Sequence, residues 1–148
     1  MMEIREIDIS ELDTLILWRM EVLREVFADS KNVDWQALEA DNREYYNREI
    51  PSGGHIACLA TPEIGCGGLC IYDEMPSPDN PSGRCAYLMN IYVRPEYRGK
   101  GYGKDIVTWL IHQARALDIT KIYLESSACA KPMYRQLGFG DMQDYMKL

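Results

Sequence analysis

Val93-Arg94-Pro95-Glu96-Tyr97-Arg98-Gly99-Lys100-Gly101-Tyr102-Gly103 joins an apolar run to a helical one, and the fold is read outward from that junction. Upstream, Ala86 to Val93 (AYLMNIYV) is rich in the branched and aromatic residues that favour strands. Downstream of Asp105, the residues Ile106, Val107, Leu110, Ile111, Ala114 and Leu117 recur at the three-and-four spacing of an amphipathic helix. Pro95 stops the strand, while Gly99, Gly101 and Gly103 let the backbone turn tightly and approach a ligand closely. Several N–H groups are then left free at a helix N-terminus, whose partial positive charge favours an anion. The chain carries a formal net charge of -7, yet Arg94, Arg98, Lys100 and Lys104 crowd this turn.

Two familiar phosphate loops fail on spacing. A Walker loop needs Ser or Thr after Gly-Lys, whereas Asp105 follows Gly103-Lys104, and Arg98 stands where its first glycine belongs. A dinucleotide fingerprint needs glycine at 104 or 106, and those positions are Lys104 and Ile106. What remains is Arg-x-x-Gly-x-Gly, filled by Arg98, Gly101 and Gly103, after a strand that ends in Val-x-Pro.

That arrangement resembles the coenzyme A pyrophosphate loop of the GNAT superfamily of N-acetyltransferases, and the likeness covers most of the chain. Pro132-Met133-Tyr134-Arg135-Gln136-Leu137-Gly138-Phe139 resembles a second signature, a tyrosine on a short helix followed by Leu-Gly-Phe and a last strand. Ile122-Tyr123-Leu124-Glu125-Ser126-Ser127 is similar to the fifth strand before it. The resemblance implies a single α/β domain over residues 1–148, with a mixed, mostly antiparallel central sheet flanked by helices and with strands four and five splayed. It also implies acetyl-CoA as co-substrate and transfer of its acetyl group to a primary amine of a small molecule or peptide. The alternative within the same fold is a non-catalytic acyl-CoA-binding sensor.

Residue by residue, the likeness puts Ile91, Tyr92 and Val93 beside the pantetheine and Arg98, Gly99, Lys100, Gly101, Tyr102 and Gly103 around the diphosphate. An N–H near Asn90 or Ile91 would meet the oxygen that becomes negative in the tetrahedral intermediate. Tyr134 occupies the place of the general acid. Ser127 replaces a frequent asparagine that holds the pantetheine, and it still offers a hydroxyl. Many members carry a glutamate base where this chain has Tyr87, which is the motive for the sensor alternative. Glu125 is the best substitute base, with Asp73, Glu74 or a water chain behind it.

The other segments alternate strands and helices, as an α/β layered fold requires. The pattern predicts a strand over Glu3–Ile9, a helix capped by Ser10, and a second helix from Asp34 to Ile50 ended by Pro51 and Gly53-Gly54. Along the first helix, Leu12, Leu15, Ile16, Arg19, Val22, Leu23 and Val26 lay out the faces. Strands over His55–Ala60 and Ile64–Tyr72 form a hairpin through Thr61-Pro62, and Met75 to Gly83 is a loop. After the central helix come a strand at Lys121–Glu125, a short helix through Tyr134 and a last strand from Phe139.

A length of 148 residues, 47% hydrophobic and 26% charged, is ordinary for one globular core. Leu15 to Trp18 is too short an apolar run for a signal peptide or membrane span, so a cytoplasmic location is expected. Five cysteines without a C-x-x-C pair, and two histidines, specify neither a disulfide framework nor a metal site. Four cations on one turn make no basic face for nucleic acid. The first two helices and the Met75–Gly83 loop should border the acceptor cleft, and Tyr45 and Tyr46 either line it or pack. Alternating charges along the second helix read mainly as a solvated face. Similar proteins often dimerise, but no stretch specifies an interface.

Overall fold

The computed structural model describes residues 1–148. Five strands form one sheet in sequence order: β1 (Glu3–Ile7), β2 (His55–Thr61), β3 (Gly65–Asp73), β4 (Arg84–Val93) and β5 (Lys121–Leu124). Neighbours run antiparallel from β1 to β4, and β5 lies parallel to β4. The helices are α1 (Leu12–Val26), α2 (Trp35–Ser52), α3 (Tyr102–Ala116) and α4 (Lys131–Gln136). This is the mixed, mostly antiparallel sheet with flanking helices that the sequence implies.

Both sheet faces are buried, which is why β2 reads as a continuous apolar run rather than an alternating one. Ala57 and Leu59 face α1 and α2 in a core with Ile7, Leu15, Ile16, Leu23 and Tyr46. Cys58 and Ala60 face the other way, into a core built on Ile106, Val107, Leu110, Ile111 and Ala114 of α3. Each large aliphatic side chain so buried contributes about 1.5–3 kcal/mol. The apolar spacing downstream of the glycine turn therefore fixes α3 against the sheet, and α3 in turn fixes where the turn points.

Several boundaries differ from the sequence reading. β1 ends at Ile7, because Asp8 rather than Ser10 is the cap: its Oδ1 accepts from Ser10 N at 2.9 Å and starts a 3-10 turn over Ile9–Glu11. Asp34 caps α2 through Ala37 N at 3.0 Å. Pro51 does not end that helix; it lies in the last turn, and the stop is Gly53 at φ 83 with Gly54 N–H on the Glu49 carbonyl at 2.8 Å. α3 begins at Tyr102, three residues before the expected start, since the free N-terminal turn needs no apolar residue. No strand follows Phe139. That residue is drawn back onto α4, and Asp141 to Leu148 are exposed. No helix is long and apolar enough to cross a membrane.

Candidate active site

β4 is the element on which the site is built. Cys66 pairs with Tyr92 and Gly68 with Met89, so Asn90 and Ile91 together stand opposite Gly67 alone. Asn90 absorbs this bulge at φ 61, a left-handed conformation that asparagine tolerates better than most side chains. On the other side, pairing with β5 stops at Leu88–Leu124. Strands four and five therefore part, as expected, and Met89 to Val93 have no strand beside them on that edge.

The glycine turn follows directly. Tyr97 N and Arg98 N bond back to the carbonyls of Arg94 and Pro95, and the next paired amide is Asp105 N on Gly101 O at 3.1 Å. Between them, no backbone carbonyl accepts from Gly99, Lys100, Gly101, Tyr102, Gly103 or Lys104. Gly99 and Gly101 are left-handed, at φ 78 and 86, and two such residues at a helix N-terminus make the nest geometry that binds anions. A Cβ built on Gly103 meets only Val93 Cγ2 at 3.8 Å and Met133 Cε at 3.9 Å, so the space above it belongs to a cavity rather than to packing.

That cavity has a volume of about 380 Å³ and is bordered by Ile91, Tyr92, Val93, Arg98, Gly99, Gly101, Tyr102, Gly103 and Tyr134. Lys100 and Ser127 do not line it. Ser127 is exposed, with Oγ 3.4 Å from Cys129 Sγ. The expected crowd of four cations is halved by ion pairing. Arg98 gives Nε to Val93 O and Nη2 to Glu25 Oε2, both at 2.7 Å. Arg94 holds Glu21 through Nη2 at 2.9 Å and stacks 4.3 Å above the Trp18 ring. What the turn presents is amides, with Lys100 and Lys104 exposed beside them.

Tyr134 is fixed by the end of its own helix. Gly138, at φ 100, carries its N–H on Arg135 O, while Phe139 N–H reaches Tyr134 O at 3.1 Å. This paired closure is a Schellman motif, and its usual hydrophobic contact is the edge-to-face pair of Tyr134 and Phe139, 5.8 Å apart. The Tyr-x-x-Leu-Gly-Phe spacing thus has a local physical cause: it orients the tyrosine. Burial raises the Tyr134 phenol above its ordinary value of 10.0, so it is protonated at neutral pH.

Glu125 lies just past β5, exposed, and shares with Tyr134 a second cavity of about 430 Å³. Beside it, Tyr87 stacks on Tyr123 with centroids 4.8 Å apart. Burial raises the Tyr87 phenol, and the Glu125 charge adds to that. Glu74 is committed elsewhere: both its oxygens lie 2.9 Å from Lys121 Nζ, which holds its carboxyl below the usual range. Lys121 pairs in register with Cys85, roughly 17 Å along the strand from Asn90 at ~3.4 Å per residue. Asp73 is exposed at that same end. No group of three His, Cys, Asp or Glu side chains is placed to hold a metal ion.

A third cavity, about 260 Å³, opens under α2 and was not legible as a unit in the sequence. Arg19, Asn42, Tyr45, Tyr46, His55, Cys70, Met89 and Asn90 line it, joined by Asp41. Tyr45 and Tyr46 do border the cleft, but the Met75–Gly83 loop does not. Its Asn80 is buried against Glu74 and Arg84 O at the opposite end of the sheet. Two acids of α2 are spent on neighbouring arginines, Glu39 on Arg43 and Glu49 on Arg48, in keeping with a solvated face. One signal pointed here: Arg19 interrupts the apolar stripe of α1 between Ile16 and Val22.

Residues 20–139 match the family model described as the Acetyltransferase (GNAT) family. Glucosamine 6-phosphate N-acetyltransferase of Trypanosoma brucei brucei is 34% identical over 62 residues, 42% of each chain. The [Ribosomal protein bS18]-alanine N-acetyltransferase of Escherichia coli K12 is 27% identical over 100 residues, 66% of this chain and 56% of its own. The chain spans about half the length of the curated relatives it matches. A crystal structure of a predicted acetyltransferase with acetyl-CoA from Clostridium acetobutylicum aligns at TM-score 0.89 with 25% identity, covering 100% of this chain and 96% of the other.

Proposed function

The chain belongs to the GNAT family of acetyltransferases, and from that premise we propose that it transfers the acetyl group of acetyl-CoA to a primary amine of a small molecule or peptide, with both substrates bound at once. The observation that carries this reading is the run of unpartnered amides from Gly99 to Lys104, opening on the cavity that Tyr134 borders. Those amides suit a diphosphate, and the vacant space over Gly103 suits its close approach. Acetyl-CoA supplies an activated acyl thioester.

The residues then have few tasks. Ile91, Tyr92 and Val93, on the unpaired edge of β4, run beside the pantetheine arm, and Lys100 offers its charge outside the cavity. An N–H of Asn90 or Ile91, at the bulge, meets the oxygen that gains charge during attack, which stabilises the transition state more than the ground state. Glu125 takes the ammonium proton, directly or through the Tyr87 hydroxyl or water. As the new N–C bond forms and the C–S bond breaks, Tyr134 gives its proton to the departing sulfur and regains one from solvent. Ser127 offers only an exposed hydroxyl and contributes least. Holding amine and thioester together supplies much of the acceleration.

Purified protein supplied with acetyl-CoA and a broad amine panel should release thiol only when an amine is present, with the acetylated amine detected by mass. Tight coenzyme A binding with no acetylated product would contradict transfer and favour the sensor alternative, for which Tyr87 in place of a glutamate is the motive.

A further inference from the structure

Arg19 has no carboxylate partner in a chain of net charge -7. Among the half-buried arginines, Arg5, Arg43 and Arg94 each hold an acidic side chain, and Arg84 donates to the Leu117 carbonyl far from the bulge. Arg19 is instead positioned by two neutral amides: Nε donates to Asn42 Oδ1 and Nη1 to Asn90 Oδ1, both at 3.0 Å. The remaining N–H groups of the guanidinium bond to nothing in the chain. Asn42 is itself held by donating Nδ2 to Leu38 O at 2.9 Å, so the fork is aimed rather than loose.

A second feature of the same cavity lacks a partner. His55, 6% exposed, has Nδ1 2.8 Å from Tyr45 Oη, while its buried Nε2 makes no hydrogen bond. Burial, with Arg19 nearby, lowers its pKa to about 4, so it is neutral at physiological pH and Arg19 is the only cation on the wall. Asp41 is exposed and makes no ion pair with Arg19. The other walls, Tyr45, Tyr46 and Met89, are largely apolar. The His55 Nε2 is packed over Gly68 and not open to the cavity, so the group that calls for a ligand here is the unneutralised Arg19 guanidinium, costly beside largely apolar walls unless an anion completes it.

We infer that the acceptor is a small amine bearing its own carboxylate close to the nitrogen, an amino acid or near analogue, held by Arg19 at the carboxylate and by Tyr45, Tyr46 and Met89 along its body. This rests on the acetyl-transfer reading, because Asn90 is shared: its side chain touches Arg19 while its backbone forms the bulge where the amine must attack. The anion and the reacting nitrogen are therefore a few atoms apart. One guanidinium matches one carboxylate in charge and in its planar fork, whereas a phosphate dianion would call for further cations. A space of about 260 Å³ is of a size to take an amino acid.

The test compares matched acceptors on the wild-type protein: an α-amino acid, its carboxamide, the decarboxylated amine and an aminoalkyl phosphate. The amino acid should exceed its carboxamide by ~100-fold in kcat/KM, since removing the charge leaves Arg19 unsatisfied. Arg19→Gln should erase that preference, and Arg19→Lys should restore part of it. Thermal shift separates the two claims. Coenzyme A should raise Tm in the wild type and in Arg19→Gln, and amino acids in the wild type alone. A coenzyme A shift with equal use of acid and carboxamide, or with preference for the phosphate, overturns this inference only. Absence of any coenzyme A shift overturns the acetyl-transfer reading and this inference with it.

Discussion

The glycine turn after β4 and the cavity under α2 flank the same bulge, yet they are built from opposite materials. At the turn the donors are backbone amides of consecutive residues, Gly99 to Lys104, and the nearby arginine is tied to Glu25. In the cavity the donor is one long side chain, Arg19, aimed by Asn42 of α2 and Asn90 of β4. A backbone nest is the same whatever the ligand's other end looks like, which suits a coenzyme shared by many reactions. A cavity assembled from distant side chains can change one residue at a time, which suits a substrate peculiar to this protein. On the proposed reading, the common co-substrate and the individual acceptor would be read by the common and the individual parts of the chain.

The contrast can be broken or sharpened by substitution. The largest effect belongs to the side chain that borders the cavity at the turn: Tyr134→Phe keeps the packing on Phe139 and should lower kcat by ~100-fold or more, with KM for acetyl-CoA unchanged. An unchanged kcat would remove the tyrosine from the chemistry. Next, Gly103→Val adds bulk where the fold leaves room, so KM for acetyl-CoA should rise about tenfold while Tm hardly moves. A variant that binds the coenzyme normally would mean the nest is not the site.

Smaller effects follow from the ion pairs behind the turn. Arg94 holds the Glu21 carboxyl below its ordinary value of 4.5. The pair's contribution is present above that value and is lost as the pH falls through the depressed one. Glu21→Gln should therefore lower stability by no more than about 1 kcal/mol at neutral pH, and its Tm should begin to approach the wild type below pH 4.5 and meet it once the pH is below the depressed value. A gap that persists in strong acid would assign the loss to packing against Trp18. Smallest of all, Arg98→Ala should change coenzyme affinity less than twofold, because its guanidinium is spent on Val93 O and Glu25. A large loss on titration calorimetry would return the arginine to the diphosphate.

What the sequence disclosed depended on how local the cause was. The strand, turn and helix around Pro95 were readable because proline, two left-handed glycines and an apolar period act within a few residues. Asp8 in place of Ser10, and a helix running through Pro51, were misjudged because a cap depends on which oxygen reaches an amide, a matter of geometry finer than residue type. The strand expected after Phe139 does not form, since the Schellman closure at Gly138 folds that phenylalanine back on Tyr134. The partners of Arg94 and Arg98 lie on α1, 73 positions away in each case, so the loss of two cations from the turn was invisible along the chain. The cavity under α2 gathers residues 19, 42, 45, 46, 55, 70, 89 and 90, of which the sequence pointed only to Tyr45 and Tyr46 and to Arg19 in an apolar stripe.

The nest itself can be watched directly by following the backbone amide resonances of Gly99, Gly101 and Gly103 during titration with coenzyme A and, separately, with pantetheine. Large shifts at all three glycines with coenzyme A, and none with the fragment that lacks a diphosphate, are the result required here. Equal responses to both compounds, or still glycine amides while coenzyme A binds, would contradict it.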